Sequence, residues 1–260
     1  HNLEVRGVST DEDGMIVSDL RSKLESGMRP KFVYVIPTFQ NPTGVSLSEN
    51  RRRELIDLAD EYGFYIFADE VYQLIYFDEL PLPSMREFDG CNRVISFGSF
   101  SKILAPGLRT GWIHAAEEIV DKLTSSALDF SGGGFNQFGS VLIKHAIDLG
   151  LLEKNTDLLR KVYSNRSRVM GESLLKELGS SVEYARPKGG FYYWLQFPEG
   201  FNTEEFLSEC EDQGVSYRPG NAFSESGKFE RYLRLTFTLY EESEIAEGVA
   251  RLASSYKRFT

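Results

Sequence analysis

"KFVYVIPTFQNPTGVSLSENRRRELIDLADEYGFYIFADEVY", residues 31–72, contains a complete strand–helix–strand unit. "KFVYVI" (31–36) and "FYIFA" (64–68) are near-continuous apolar runs. Runs of that kind suit parallel strands buried on both faces. Between them, Ser46 and Glu49 have the spacing of a capping box. Leu55, Leu58, Ala59 and Tyr62 follow at i, i+3, i+4 and i+7, one face of a helix, and Gly63 supplies a stop. Two parallel strands joined through a helix predict a right-handed βαβ unit.

Outward from this unit, "RVISFG" (93–98) is a third apolar run. Residues 1–152 therefore read as an α/β domain on a mostly parallel sheet. From residue 153 the texture changes. "EKNTDLLRKVYSNRSRVMGESLLKEL" (153–178) reads as one long connecting helix. Short strands at 182–185, 190–197 and 232–237, with helices near 203–213 and 241–258, predict a smaller α+β domain over 153–260. "SGGG" at 131–134 reads as a loop before that boundary.

The 260 residues are 41% hydrophobic and 26% charged, a folded, globular profile. A net charge of −10 argues against a broad nucleic-acid or anionic-membrane surface. Two cysteines, Cys91 and Cys210, give no disulfide framework and suit a reducing compartment, here read as the cytoplasm. No apolar run approaches the ~20 residues that span a bilayer, and no signal peptide is visible. His1, His114 and His145 are too scattered for a metal site, and none is predicted.

In an open α/β sheet, ligands bind beyond the carboxyl ends of the strands. The residues there are "PTFQNPTG" (37–44), "DEVY" (69–72) and "SFSKILAPGLRTGW" (99–112). Each has a plain reading as well. Asn-Pro and Thr-Gly form turns, Asp69 suits an N-cap or a salt bridge, and Tyr72 suits packing. Arg234, on the apolar strand "YLRLTF", suits a snorkelling side chain. Ser99-Phe100-Ser101-Lys102 also spells S-x-x-K, an acyl-transfer motif. That chemistry needs S-D-N and K-T-G elements, which the chain lacks, and a helix start rather than a strand end. Together, the strand ends collect Asn41, Asp69, Tyr72, Ser99, Ser101, Lys102 and Arg109. Hydroxyls and a guanidinium suit a phosphate dianion, a lysine suits an aldehyde, and a carboxylate suits a pyridinium nitrogen. Phosphate, aldehyde and pyridine together describe pyridoxal 5′-phosphate.

With these motifs in order, the chain resembles the fold-type I pyridoxal-phosphate aminotransferases of class I/II. "FQNPTG", "DEVY", "SFSKILAPGLRTGW" and "LRLTF" put Asn41, Asp69, Lys102 and Arg234 at intervals of 28, 33 and 132 residues. "APGLR" between Lys102 and Arg109, with "RPKGGFYYWLQFP", resembles the branch containing 2-aminoadipate and kynurenine aminotransferases.

The resemblance implies a three-layer α/β sandwich with a small α+β C-terminal domain, and transamination between an amino acid and a 2-oxo acid. It assigns Lys102 the Schiff base and the proton shuttle, and Asp69 the pyridine nitrogen. Asn41 and Tyr72 take the cofactor's phenolic oxygen. Ser99, Ser101 and Arg109 take the phosphate, Arg234 takes the substrate carboxylate, and Asn41 is also assigned to substrate binding. It also implies a homodimer with no nucleic-acid or membrane partner. Two other activities use this scaffold: the effector domain of a transcription regulator, and a carbon–sulfur lyase. The resemblance begins partway into the family's large domain. The family's upstream phosphate turn, ring-stacking aromatic and closing segment have no counterpart here, so the chain by itself is expected to bind cofactor weakly and to expose a sheet edge.

Overall fold

The computed structural model describes residues 3–125, 136–224 and 227–260. The "SGGG" stretch at 131–134 lies outside the described residues. The chain divides into two compact units. One holds Val8–Gln40 and Val45–Arg160; the other holds the described residues of 1–7, 41–44 and 161–260.

In the first unit, a two-residue hairpin, β1 (Thr10–Asp11) and β2 (Gly14–Met15), precedes helix α1 (Val17–Glu25). Strand β3 (Phe32–Val35), helix α2 (Glu49–Tyr62) and strand β4 (Tyr65–Asp69) realise the βαβ unit. The short helix α3 (Met85–Phe88), strand β5 (Val94–Ser99) and strand β6 (Gly111–His114) follow, then α4 (Glu117–Thr124) and α5 (Gln137–Asp148). The sheet order is β3-β4-β5-β6. The first three strands are parallel and β6 is antiparallel, a return strand that the apolar runs do not reveal.

Helix α2 begins two residues later than a Ser46 cap requires. Ser48 is the N-cap, and it makes no side-chain cap bond. The Ser46 hydroxyl instead accepts the Phe39 N–H at 3.1 Å, because the chain is still turning at that point. Gly63 ends the helix in the left-handed region at φ 75°, which glycine adopts without a Cβ penalty.

The expectation that the strands are buried on both faces holds on one side only. Val33, Val35, Ile66, Ala68 and Val94 pack with Leu20 and Leu24 of α1 and with Leu55, Leu58 and Ala59 of α2. Residues of the other parity have no such cover at β3, where Phe32 and Tyr34 are exposed. The helices that build the core lie on the Val33 face. An apolar run records that a strand is apolar but not which face is covered.

The run Arg51-Arg52-Arg53 shows how helical rotation separates like residues. Arg51 pairs with Asp11, and Arg53 pairs with Glu49 at 2.7 Å. Arg52 is wholly buried. Its guanidinium donates to the carbonyls of Leu47 (3.0 Å), Pro83 (2.7 Å) and Pro37 (2.9 Å) and to the Thr38 hydroxyl (3.0 Å). Burial brings its pKa down to about 10, against the opposing charge of Glu70. It remains a cation at neutral pH.

The second unit begins within the long helix α6 (Leu151–Leu178), whose residues from 161 belong to it. Strand β7 (Tyr192–Gln196), helix α7 (Thr203–Asp212), strand β8 (Arg218–Pro219), strand β9 (Tyr232–Thr236) and helix α8 (Glu242–Phe259) complete it. The sheet is antiparallel in the order β7-β9-β8. "VEYA" contributes only one bridge, Glu183 to Gln196, rather than a strand. Tyr193, Leu195, Leu233, Phe237, Phe206 and Leu252 are buried. Tyr192, Trp194, Tyr232 and Arg234 have the opposite parity on these strands and are only half-buried. No helix of the described residues is long and apolar enough to cross a membrane.

Two predictions follow from the first unit's interior. Arg52→Met should strip the Leu47 and Pro83 carbonyls of the guanidinium donor, leave Pro37 with only the Leu47 N–H, and cost about 3 kcal/mol or more, read as a lower urea midpoint. Gly111→Ala should also destabilise, because a Cβ there would stand 2.4 Å from the Gly98 carbonyl oxygen. A thermal melt should show a loss of about 1–3 kcal/mol, the range of forced overpacking.

Candidate active site

The chain leaves β5 at Ser99 and re-enters the sheet at Gly111, so residues 100–110 form a closed hairpin loop. Phe100 N–H donates to the Thr110 carbonyl at 3.1 Å, which seals its base. The Phe100 carbonyl accepts the Leu104 and Ala105 amides at 2.8 and 3.1 Å, tightening the first turn around Lys102. Two side chains brace the loop. Asn155 donates to the Ile103 carbonyl at 2.8 Å, and Asn136 donates to the Leu108 carbonyl at 2.5 Å and the Thr110 hydroxyl at 3.2 Å. Lys102 is thus half-buried on a fixed turn.

Arg109 adopts the left-handed region at φ 48°. That is uncommon for a side-chain-bearing residue, and it turns the chain back on itself. Its guanidinium donates to the Ser101 hydroxyl and the Pro106 carbonyl, both at 3.2 Å. The Ser99 oxygen accepts the Ser101 N–H at 3.2 Å, a bond that does not consume its own hydrogen. Two hydroxyls and an exposed guanidinium therefore gather on the loop that holds Lys102. That is a donor set for a compact anion.

Asp69 closes β4, the neighbour of β5 in the sheet. In the β4–β5 register Asp69 lies opposite Phe97, so Asp69, Phe97 and Ser99 share one face. Both carboxylate oxygens are engaged. Oδ2 accepts the Tyr34 hydroxyl at 2.6 Å, and Oδ1 accepts the Val71 N–H at 3.4 Å. Glu70 takes the other face, where its carboxylate is buried and accepts the Ser84 hydroxyl (2.6 Å), the Met85 N–H (2.7 Å) and the Ser96 hydroxyl. Adjacent acids on one strand end thus divide, one into the core and one outward. Tyr72 is buried, at 3% exposure, in the turn that follows.

Asn41 and Arg234 belong to the second unit and meet within it. Arg234 donates to the Asn41 side-chain amide oxygen, Oδ1, at 2.7 Å. The guanidinium also lies 4.1 Å from the Tyr192 ring centre and 4.9 Å from that of Phe223. Aromatic faces hold a guanidinium without neutralising it. Arg234 is therefore fixed inside its own unit and is not a free surface side chain.

Sequence reasoning left out Tyr34, Asn136 and Asn155. Tyr34 carried a signal, since β3 and β4 run parallel and in register, with Tyr34 opposite Phe67 two residues before Asp69. The asparagines carried none, because each acts on a carbonyl distant in sequence. No group of three or more His, Cys, Asp or Glu among the described residues could hold a metal ion.

Comparison with known proteins agrees with this geometry. Residues 2–252 match the family described as aminotransferase class I and II. The chain is 36% identical over 256 residues to aromatic-amino-acid aminotransferase 1 of Thermococcus litoralis, covering 96% of this chain and 61% of that protein. The solved kynurenine aminotransferase of Pyrococcus horikoshii superposes with a TM-score of 0.89 at 36% identity, covering 97% of this chain and 63% of that one. The α-aminoadipate aminotransferase LysN of Thermus thermophilus, solved with N-(5′-phosphopyridoxyl)-L-leucine, gives a TM-score of 0.88 at 33% identity, covering 96% and 64%. The chain thus spans somewhat under two thirds of these relatives' lengths. With the motifs, the sheet order and the match all in agreement, the chain belongs to the class I and II aminotransferase family.

Proposed function

We propose that the protein transaminates an amino acid with a 2-oxo acid, using pyridoxal phosphate held at Lys102. The observation that carries this reading is the 100–110 loop, which groups Lys102 with Ser99, Ser101 and Arg109 at the strand end beside Asp69. The residues present fit the cofactor: an anion-binding donor set, an amine and an outward carboxylate stand on neighbouring strand ends. When bound, pyridoxal phosphate supplies an aldehyde that condenses with amines and a ring that accepts an electron pair.

This chain's residues then divide the work. Ser99, Ser101 and Arg109 bind the phosphate oxygens through hydroxyl and charge-assisted N–H donors. Asp69 receives the ring N–H at a carboxylate already oriented by two donors. Lys102 holds and moves the proton at its Nζ. Tyr72 and Asn41 supply polar groups to the ring's phenolic oxygen. Arg234 binds the substrate carboxylate through its paired N–H groups, which fixes the bond at Cα that breaks. Kinship with enzymes named for aromatic amino acids, kynurenine and α-aminoadipate supports a large amino acid as donor. We take the working form to be a cytoplasmic homodimer, a reading supported by the family likeness for the dimer and by the free cysteines for the compartment.

Borohydride trapping with pyridoxal phosphate, followed by peptide mapping, should place the reduced adduct on Lys102, and Lys102→Ala should abolish it. Product analysis with amino donors and a 2-oxo acid separates the readings. Amino-group exchange supports transamination, release of pyruvate and ammonia from a cysteine conjugate marks a lyase, and cofactor uptake without turnover marks an effector domain. Arg234→Ala should raise KM for the amino donor by about 10–100-fold, the worth of a charge-assisted pair, while leaving the borohydride adduct in place.

A further inference from the structure

We propose that Tyr34 is a positioning residue that acts through Asp69: its phenol holds one carboxylate oxygen in place, so that the acid is aimed at the cofactor ring. The proposal rests on the reading that Asp69 faces the ring nitrogen.

The geometry is specific. Tyr34 stands on β3 and Asp69 on β4, and the strands pair in register with Tyr34 opposite Phe67. The two side chains are therefore diagonal neighbours on one sheet face, within reach of an aromatic side chain. The phenol spans that diagonal and donates to Oδ2 at 2.6 Å. Its ring is backed by Phe97, with ring centres 6.4 Å apart. A phenol is a neutral donor. It orients the acid without placing a second charge beside it, as a lysine or arginine there would. The second oxygen accepts the Val71 amide, so the carboxylate plane is set from both sides while each oxygen keeps a lone pair for a further donor.

The pairing also marks the tyrosine. Burial of its hydroxyl, then the hydrogen bond to Asp69, push its pKa well above the ordinary phenol range. Tyr34 is nevertheless 51% exposed as a residue.

The test uses the full chain with and without cofactor. In the cofactor-free protein, 13C labelling at tyrosine Cζ follows the Tyr34 titration, assigned by Tyr34→Phe. Asp69→Asn should bring that titration down toward an ordinary phenol. With saturating 15N-labelled pyridoxal phosphate, Tyr34→Phe should keep the borohydride adduct on Lys102. The ring-nitrogen signal should move toward the unprotonated position, and cofactor affinity should fall by about tenfold, the worth of one hydrogen bond to a charged acceptor. Circular dichroism and melting of Tyr34→Phe confirm the fold. The proposal is overturned if Asp69→Asn leaves the Tyr34 titration in place. It is equally overturned if Tyr34→Phe leaves the ring-nitrogen signal unmoved while Asp69→Asn shifts it. If Asp69→Asn itself leaves that signal unchanged, the assignment of Asp69 fails, and the role of Tyr34 with it.

Discussion

The first unit is organised around one buried cation. Arg52 leaves α2 pointing inward and donates to the carbonyls of Pro37, Leu47 and Pro83 and to the Thr38 hydroxyl. These acceptors lie where β3 ends, where α2 is about to begin, and just before α3. Pro37 also accepts the Leu47 N–H, but the Leu47 and Pro83 carbonyls would lose the guanidinium donor, with a penalty of order 1–3 kcal/mol for each oxygen left unpaired. One planar side chain satisfies all four because its donors form a rigid fork. The handover from strand to helix is thereby fixed on the buried side of the sheet. Glu70, with its three donors, fixes the end of β4 in the same way.

The candidate-site residues of this sheet have the opposite parity. Because a strand alternates its side chains, the residue before Glu70 must face away from the core, and that residue is Asp69. The same rule puts Tyr34, Phe97 and Ser99 on the outward face. A core that pins Arg52 and Glu70 on one side thus holds a set of polar groups on the other. In the second unit the arrangement repeats. Buried residues of β7 and β9 pack against the helices, while Arg234 is gripped on the open face by Asn41, Tyr192 and Phe223.

Much of this was legible in the chain. Three apolar runs located the parallel strands, and the residues after them located the candidate site, because strand ends are where a parallel sheet presents its polar groups. What stayed hidden depended on partners far away in sequence. Arg52 lies in a run of three arginines that reads as a solvated helix face. Only the helical angle and the surrounding carbonyls reveal that it is buried. The return strand β6 is short and exposed, so no periodicity marks it. Tyr34 looked like one more apolar strand residue until the register set it diagonally from Asp69. The exposed face of β3 follows from the placement of the covering helices, which hydropathy does not record.

The hairpin between β5 and β6 has a further implication for how the sequence can change. Its base is sealed by Phe100 and Thr110, and its interior is pinned at Ile103 and Leu108 by Asn155 and Asn136. The seven-residue interval from Lys102 to Arg109 is therefore set by a mechanical frame anchored at both ends. Evolution can vary the side chains along that frame, but inserting or deleting a residue would shift the Lys102 amine against Ser101 and Arg109. Length variation among descendants of this gene should accumulate elsewhere.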